Sequence, residues 1–222
     1  MEEKVLDKGF VRVEDHFGDD FSAVQAARVS YGKGLTDYER DKLLLEYLME
    51  KGHTSCFEHM IIKFHIKLPI FVMRQLVRHR IASINERSGR YTQFQQEWYI
   101  PSFFRKQDNK DRQRSLPSEE EYERAKDIFD KSFTQAYDSY AKLLELGVAR
   151  EQARLVLPTS MYTEIYWTIN LRSLMNFLNL RADSHAQFEM QEYACAIARL
   201  FERLYPLTYN AFIKYVYKGD VL

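Results

Sequence analysis

The feature of this sequence that most constrains its fold is an alternating segment, residues 59–68, followed at once by an apolar run that begins at Pro69. In the first segment Ile62, Phe64 and Ile66 alternate with polar residues, which is the two-residue period of a half-buried strand. Proline has no N–H for a sheet ladder, but it suits the first position of a helix. The sequence therefore predicts a strand that leads directly into a helix.

A polar segment, residues 78–91, follows this apolar run and holds four arginines, one histidine, two serines, one asparagine and one glutamate. Ser, Asn and Gly favour turns and irregular backbone. Guanidinium groups present a fixed fork of donors that matches phosphate oxygens, and serine hydroxyls and turn N–H groups can add neutral donors. The composition indicates either phosphate recognition beside a carboxylate or a solvated basic loop.

The remaining pattern predicts helices that separate a few strands. Strands are expected at residues 8–17 and 162–169. Four helices are expected to begin at a capping residue: at Asp20 or Ser22, at Thr36 with Glu39 as its capping box, at Ser118 with Glu121 as a second box, and at Ser184. Three more helices are expected at 151–156, before Arg181 and from Pro206. Residues 102–117 are charged and predict an exposed loop. No Gly-x-Gly-x-x-Gly follows a strand, so we expect one α+β domain over residues 1–222 instead of a dinucleotide-binding doubly wound sheet.

Whole-chain composition limits the classes of partner. Lys plus Arg and Asp plus Glu balance at 32 each, so no overall field draws the chain to nucleic acid or to a membrane. No apolar run approaches the roughly 20 residues of a membrane span. Cys56 and Cys195 are the only cysteines, in no zinc-like spacing, and the histidines have no metal-site period, so we expect a cytoplasmic protein without a bound metal.

Residues 78–91 carry the pattern Arg-His-Arg-x-x-Ser-x-Asn-Glu-x-Ser-x-Arg-Tyr, which resembles the signature of the flavin-dependent thymidylate synthases at every specified position. The similarity extends through segments 7–10, 26–30, 173–181 and 217–220. The resemblance implies a homotetramer with an antiparallel sheet, flanking helices and FAD bound between subunits. It also implies reductive methylation of dUMP to dTMP, with methylenetetrahydrofolate as carbon donor and NADPH as the reductant of FAD.

The resemblance further implies roles for individual residues, with Arg181 as the catalytic group. The residues implied to bind dUMP are Gln75, Leu76, Val77, Arg78, Glu86, Arg87, Ser88, Gly89, Arg90, Arg154 and Arg181. Those implied to bind FAD are His53, Ser55, Arg78, His79, Arg80, Glu86, Asn170, Leu171, Arg172, Asn176 and His185, with His53 and His185 near the flavin ring.

The sequence around Arg181 also favours a special role for this side chain. Its neighbours Leu178 and Leu180 predict burial, and a buried guanidinium needs an anionic partner. That partner could be the anion of a uracil ring that has lost its N3 proton. The alternative is a structural ion pair with Asp183 or Glu189.

Two other functions fit parts of the sequence. An RNA- or nucleotide-binding module could use the arginine-rich segment together with some of the fifteen Tyr and fifteen Phe residues for base stacking. A flavoprotein of different chemistry is the second alternative. A flavin absorbance band in the purified protein excludes the first of these.

Overall fold

The computed structural model describes residues 1–110, 115–118 and 121–222, which form a five-stranded antiparallel sheet, a separate two-stranded hairpin and eight α-helices. The strands are β1 (Glu2–Val5), β2 (Gly9–Phe17), β3 (Ile61–Pro69), β4 (Ser83–Glu86), β5 (Phe104–Gln107), β6 (Ser115–Ser118) and β7 (Tyr162–Asn170). The helices are α1 (Ser22–Arg28), α2 (Tyr38–Glu50), α3 (Ile70–Leu76), α4 (Tyr122–Glu145), α5 (Arg150–Ala153), α6 (Leu171–Arg181), α7 (Phe188–Leu204) and α8 (Pro206–Tyr215). No described helix is both long and apolar enough to cross a membrane.

The sheet has the order β1-β2-β3-β7-β4, with β3 in the centre. The predicted alternation in β3 is confirmed, because Ile62, Phe64 and Ile66 are fully buried. β7 pairs with β3 along its whole length, which places Phe64 opposite Trp167. β1, which no alternation of apolar residues predicts, lies at the edge of the sheet, and among the described strands it pairs with β2 alone. An α+β fold with an antiparallel sheet is therefore confirmed.

The buried face of the sheet and the helices share one hydrophobic core, to which α6 and α7 contribute Phe177 and Phe201. The opposite face is polar. On it His65 lies 2.8 Å from Glu164 and stacks on Tyr166 at a centroid distance of 4.9 Å. This alternation is typical of an antiparallel sheet with one face in the core and one face in solvent.

The first two predicted caps are wrong, although α1 begins at Ser22, where a helix is expected. The carboxylate of Asp20 does not cap α1. It accepts bonds from the backbone N–H of Leu207 and of Thr208 and from the Thr208 hydroxyl at the start of α8. Thr36 likewise does not cap α2, because Asp37 accepts from the Arg40 N–H at 3.0 Å. Carboxylates do accept bonds from N–H groups at helix starts, as predicted, but the tertiary fold determines which helix start each carboxylate caps.

The other two predicted caps are also wrong. α4 begins after Glu121, which has a left-handed backbone (φ 59°), so Ser118 and Glu121 form no capping box. α7 begins at Phe188, and Ser184 donates its N–H to Asp220 near the chain's end instead of capping the helix. The helix that begins at Pro206 is found where it is expected, and the helix expected at 151–156 begins one residue earlier, as α5 followed by a 3-10 turn, Arg154–Val156.

The expectation of an exposed charged loop at 102–117 is wrong in part, because the described part of this segment forms a hairpin, although residues such as Lys106 and Lys110 are exposed as expected. β5 and β6 pair as a hairpin, with Phe104 opposite Ser118. Arg105 is only 17% exposed in its side chain and forms an ion pair with Glu189. Local charge predicted solvation, but a guanidinium can be buried where a distant carboxylate neutralises it. Residues 111–114 of this segment lie outside the described residues.

We predict that Asp20→Ala lowers the free energy of unfolding by about 1–2 kcal/mol, because three donors at the head of α8 lose their acceptor. Denaturant unfolding at fixed protein concentration measures the change. Asp138→Ala, on the exposed side of α4, is the control and should stay within about 0.5 kcal/mol of the parent. Equal stability of the Asp20 variant and the parent would contradict the assignment.

Candidate active site

The residue that caps helix α6 fixes where the helix starts and therefore which of its side chains face away from the core. Asn170, the last residue of β7, accepts a bond from the Ser173 N–H at 2.9 Å and caps the helix. Leu174, Phe177 and Leu178 face the core. The opposite side of the helix therefore carries exposed polar residues at four-residue spacing, starting with Arg172 and Asn176.

The turn after α3 carries the first part of the signature. The N–H groups of Arg78 and His79 bond to the carbonyls of Gln75 and Leu76, which ends the helix. Among the described residues no carboxylate lies within 4.0 Å of Arg78 or Arg80. Two such cations in one short turn make this a strongly electropositive position.

The turn and the polar face of α6 enclose a cleft of about 630 Å³, a typical volume for a ligand pocket. Its lining combines residues far apart in the sequence: Glu58, Arg78, His79, Arg80, Ile81, Asn170, Arg172, Ser173, Asn176, Leu180 and Arg181. Six of the predicted FAD-binding residues and the predicted catalytic arginine thus lie around one space. Arg172 is bonded to Glu58 at its edge.

Arg181 and His79 are joined inside this cleft. Arg181 Nε donates to His79 Nε2 at 3.0 Å, and the edge of the His79 ring contacts Phe177. Burial, together with the nearby Arg181 charge, lowers the pKa of His79 to about 4, so the ring is neutral and can accept this bond at pH 7. Burial also lowers the pKa of the Arg181 guanidinium.

The alternative ion pairs of Arg181 do not form. Glu189 pairs with Arg105 at 2.6 Å, and Asp183 pairs with His185 at 2.8 Å. Within the described parts of the chain, the side chain that bonds to Arg181 is the neutral ring of His79. The cationic charge of Arg181 is therefore available to an anion in the cleft.

A second group of predicted residues gathers at the loop that contains Ser88, Gly89 and Arg90. A side chain on Gly89 could not fit, since its Cβ would lie 2.4 Å from the Phe94 ring and 3.2 Å from Arg154 Cδ. The hydroxyl of Ser88 accepts from the Arg90 N–H at 3.2 Å. Arg154 is thereby packed against this loop, and the resemblance implies a role in dUMP binding for both.

Arg90 is half exposed and bonds to Glu151 Oε2 at 2.8 Å. This pair lies in solvent, where its net strength is small. A phosphate could therefore replace Glu151 as the partner of Arg90.

Glu86 and Arg87 line a separate cleft of about 420 Å³ on the polar face of the sheet. Glu86 accepts from the Thr163 hydroxyl at 2.9 Å. The Arg87 N–H bonds to the Glu164 carbonyl, and its guanidinium approaches the Glu164 carboxylate at 3.8 Å. The Arg87 side chain, which the signature leaves unspecified, therefore has protein partners.

Other predicted residues are not brought to these spaces in the single chain. His53 is exposed and stacks on Tyr47, and His185 is exposed beside Asp183. Ser55 is exposed and lines none of the clefts described here.

Three further predicted residues have side chains that pack into the hydrophobic core instead of lining a cleft. The side chains of Leu76 and Leu171 are fully buried in the core, so they could reach a ligand only through the backbone. Val77, at the C-terminal end of α3, is half-buried and packs against the same core.

Sequence reasoning missed four residues of the main cleft: Glu58, Ile81, Ser173 and Leu180. Leu180 continues the four-residue spacing of Arg172 and Asn176, so helical periodicity could have found it. Ile81 occupies an unspecified position of the signature. Glu58 comes from a 3-10 helix, Thr54–His59, and no local pattern ties it to α6.

The residues of the main cleft suit FAD, the cofactor that the resemblance implies. A pyrophosphate needs cations without competing carboxylates, and Arg78 and Arg80 meet that condition. Asn170 and Asn176 add amide groups for the polar edges of a planar ring, and the neutral His79 offers an uncharged ring surface.

Comparison with known proteins agrees with this geometry. The family model described as thymidylate synthase complementing protein matches residues 12–207. A flavin-dependent thymidylate synthase from Kosmotoga olearia is 64% identical, covering 100% of this chain and 97% of its own. One from Thermus thermophilus is 49% identical, covering 98% of this chain and 80% of its own.

Among solved structures, the UMP/dUMP methylase PolB from Streptomyces cacaoi, bound with 5-Br dUMP, superposes with a TM-score of 0.89 at 32% identity. The match covers 98% of this chain and 100% of that one. The arginine-lined cleft, the family model and the full-length relatives agree, and this chain belongs to the thymidylate synthase complementing family, the flavin-dependent thymidylate synthases.

Proposed function

We propose that this protein methylates dUMP reductively to dTMP. Methylenetetrahydrofolate supplies the carbon, NADPH supplies a hydride through FAD, and a proton from solvent completes the balance. The products are dTMP, tetrahydrofolate and NADP⁺. The observation that carries the proposal is the cleft in which the signature turn at Arg78, His79 and Arg80 meets Arg172 and Arg181 of α6.

The phosphate of dUMP is proposed to bind at the loop that contains Ser88, Gly89 and Arg90, with Arg154 beside it. A guanidinium and a hydroxyl next to a backbone without a side chain provide charge-assisted and neutral donors in one small space. The loose pair between Arg90 and Glu151 would exchange for a pair between Arg90 and phosphate. The packing of Arg154 against Gly89 supports this arrangement.

Arg181 is proposed to activate the uracil ring. Its Nε is held by His79, which leaves its terminal nitrogens for the substrate. A cation beside N3 stabilises the anion that forms when N3 loses its proton. That anion carries more electron density at C5, where the new carbon bond forms.

FAD, when bound, supplies hydride transfer between NADPH and the methylated ring. Arg78 and Arg80 would hold its phosphates, Asn170 and Asn176 would orient its ring edges, and Arg172, which is paired with Glu58, would line the edge of the space. The neutral His79 keeps Arg181 in place without adding charge to this space.

We propose further that no side chain forms a covalent bond to dUMP. Burial raises the pKa of the Cys195 thiol on α7, which disfavours a thiolate. The hydroxyl of Ser88 is bonded to the Arg90 N–H, and no described His, Asp or Glu forms a bond to it. Ser88 therefore lacks the general base that a nucleophilic serine requires.

We also propose a homotetramer that works in the cytoplasm. His53, Ser55 and His185 lie outside the main cleft in one chain, and a neighbouring subunit could bring them to it. The free thiols of Cys56 and Cys195 suit a reducing compartment. Native mass measurement should give four chains with up to four FAD, and a fully flavin-loaded monomer would refute this assembly.

The activity is tested with purified protein, dUMP, methylenetetrahydrofolate and NADPH under anaerobic conditions, with chromatography of dTMP as readout. We expect a flavin absorbance band and dTMP formation. Arg181→Ala should lower kcat by about 10²–10³-fold, as for loss of a group that stabilises developing charge. Arg124→Ala, an exposed cation on α4, is the matched control. Full activity of the Arg181 variant, or parent protein without flavin and dTMP formation, would refute the proposal.

Arg90→Ala should weaken dUMP binding while the flavin content stays unchanged. A lost charge-assisted bond at this half-exposed position predicts a rise in the dUMP Kd of about tenfold or more. Calorimetry measures the Kd and absorbance measures the flavin. Loss of flavin with an unchanged dUMP Kd would mean that the loop serves the cofactor.

The pKa of His79 predicts a specific pH dependence of stability. The folded ring has a pKa of about 4 against its usual 6.5, so the unfolded chain binds a proton in this range that the folded chain does not. The contribution of the neutral ring is complete above pH 6.5 and is lost as the pH falls toward 4. Urea unfolding of the parent and of His79→Gln, at one protein concentration, should show a difference that shrinks as the pH falls. A difference independent of pH would contradict the prediction.

A further inference from the structure

A chain of side-chain hydrogen bonds connects the β5–β6 hairpin with Gln75, one of the predicted dUMP-binding residues. We call it the Glu189 relay. It consists of Arg105, Tyr99, Glu189, Gln187 and Gln75. Glu189 Oε1 accepts from Arg105 at 2.6 Å and from Tyr99 at 3.2 Å. Gln187 Nε2 donates to Glu189 Oε2 at 2.8 Å, and Gln75 Nε2 donates to Gln187 Oε1 at 2.6 Å.

The inner end of the relay is fixed. Glu189 is 1% exposed and lies in the first turn of α7, where a negative charge is favourable. The Arg105 guanidinium packs against the rings of Phe103 and Phe188 at 5.8 and 5.2 Å from their centroids. Burial and the Glu189 charge raise the pKa of Tyr99, which keeps its proton and donates it. Glu189 is therefore held as an acceptor.

This fixed acceptor determines the direction of both glutamine amides. A carboxylate has no proton to donate, so Gln187 must turn its NH₂ group toward Glu189 and its carbonyl toward Gln75. Gln75 must then turn its own NH₂ group toward Gln187. The Gln75 carbonyl faces away from the relay, and no group in the described ranges donates to it.

We propose that the Glu189 relay sets the orientation of the Gln75 amide so that it presents a carbonyl acceptor to the nucleotide. Because Arg181 is proposed to lie beside N3, the donor of a deoxyuridine nucleotide that remains for such an acceptor is the 3′-hydroxyl. This inference rests on the proposed function for the role of Gln75 in substrate binding. Glu189 and Gln187 are positioning residues, and the relay gives the charged hairpin segment a part in recognition.

One substitution should reverse the direction of the hydrogen bonds in the relay. In Glu189→Gln the new amide keeps its carbonyl toward Arg105 and Tyr99, because its NH₂ group would face their donors in the other orientation. That NH₂ group then faces Gln187, which must present its carbonyl. Gln187 now turns NH₂ toward Gln75, and Gln75 presents NH₂ to the nucleotide in place of the carbonyl.

A second substitution restores the direction. In the double variant Glu189→Gln and Gln187→Glu, the carboxylate at 187 accepts from the amide at 189 and from Gln75 Nε2. Gln75 again presents its carbonyl, and the total charge equals that of the parent. Position 187 is exposed, so it tolerates a carboxylate.

The experiment measures dUMP KM and kcat for the FAD-loaded parent, Glu189→Gln, the double variant and the control Glu192→Gln. Glu192 is exposed on α7 and belongs to no part of the relay. We expect the KM of Glu189→Gln to rise about tenfold with kcat within about twofold, and the double variant to return to within about threefold of the parent. If the rise in KM came from altered packing alone, exchanging the amide and the carboxylate between positions 187 and 189 would not reverse it.

A second readout does not depend on the reaction. The thermal midpoints of the four proteins, taken as a double-mutant cycle, should show that the two substitutions are coupled, with the double variant more stable than Glu189→Gln. An unchanged KM in Glu189→Gln, or a stable double variant without KM rescue, overturns the inference. If the parent forms no dTMP, the proposed function fails, and the absence of thermal coupling would then refute the relay separately.

Discussion

The pairing of β3 with β7 is the constraint on which the rest of the structure depends. The two nine-residue strands pair along their full length, and the buried Phe64 stacks on Trp167 at the centre. Each strand passes directly into a helix, α3 after Pro69 and α6 after Asn170. The register of one strand pair thus fixes where both helices begin, and the cleft lies between the turn that ends α3 and the polar face of α6.

Among the described residues, no carboxylate neutralises the positive charge of three arginines in the cleft. Arg78 and Arg80 have no carboxylate within reach in the described part of the chain, and Arg181 is held by a ring that burial keeps neutral. Arg78 and Arg80 are exposed to water, whereas the partly buried Arg181 cation is costly unless a ligand supplies the negative charge. This arrangement of charge supports the proposed binding of phosphates and of a developing ring anion, and ligands that bind there should stabilise the folded protein.

Outside the cleft, a buried cation has a carboxylate as its partner. Arg105 and Glu189 neutralise each other in a buried pair, and this pair joins the β5–β6 hairpin to α7. Because the pair belongs to a network with Tyr99 and Gln187, its orientation reaches Gln75 beside the signature turn. Buried polar networks of this type specify one arrangement of their members when every group is satisfied.

The sequence by itself determined the elements with strong periodicity and the chemistry of the signature. β3, β7 and α8 are where alternation, β-branched and aromatic residues, and proline respectively predict them, since these signals arise from neighbouring residues. For residues 78–91 the composition left open whether they bind phosphate or form a solvated basic loop, and the signature pattern identified the family. The sequence assigned the caps of Asp20 and Ser184 to the wrong helix starts, because a carboxylate or an N–H bonds to whichever partner the fold brings near.

Only the tertiary structure decided which residues surround the cleft and which charges are free. Glu58 lies beside Arg172, and Glu189 pairs with Arg105 and not with Arg181. These partners are distant in the chain, and no local pattern encodes them. Periodicity reports which side of an element is buried, whereas the partner of a charge depends on the three-dimensional packing of elements, and that packing determined the site.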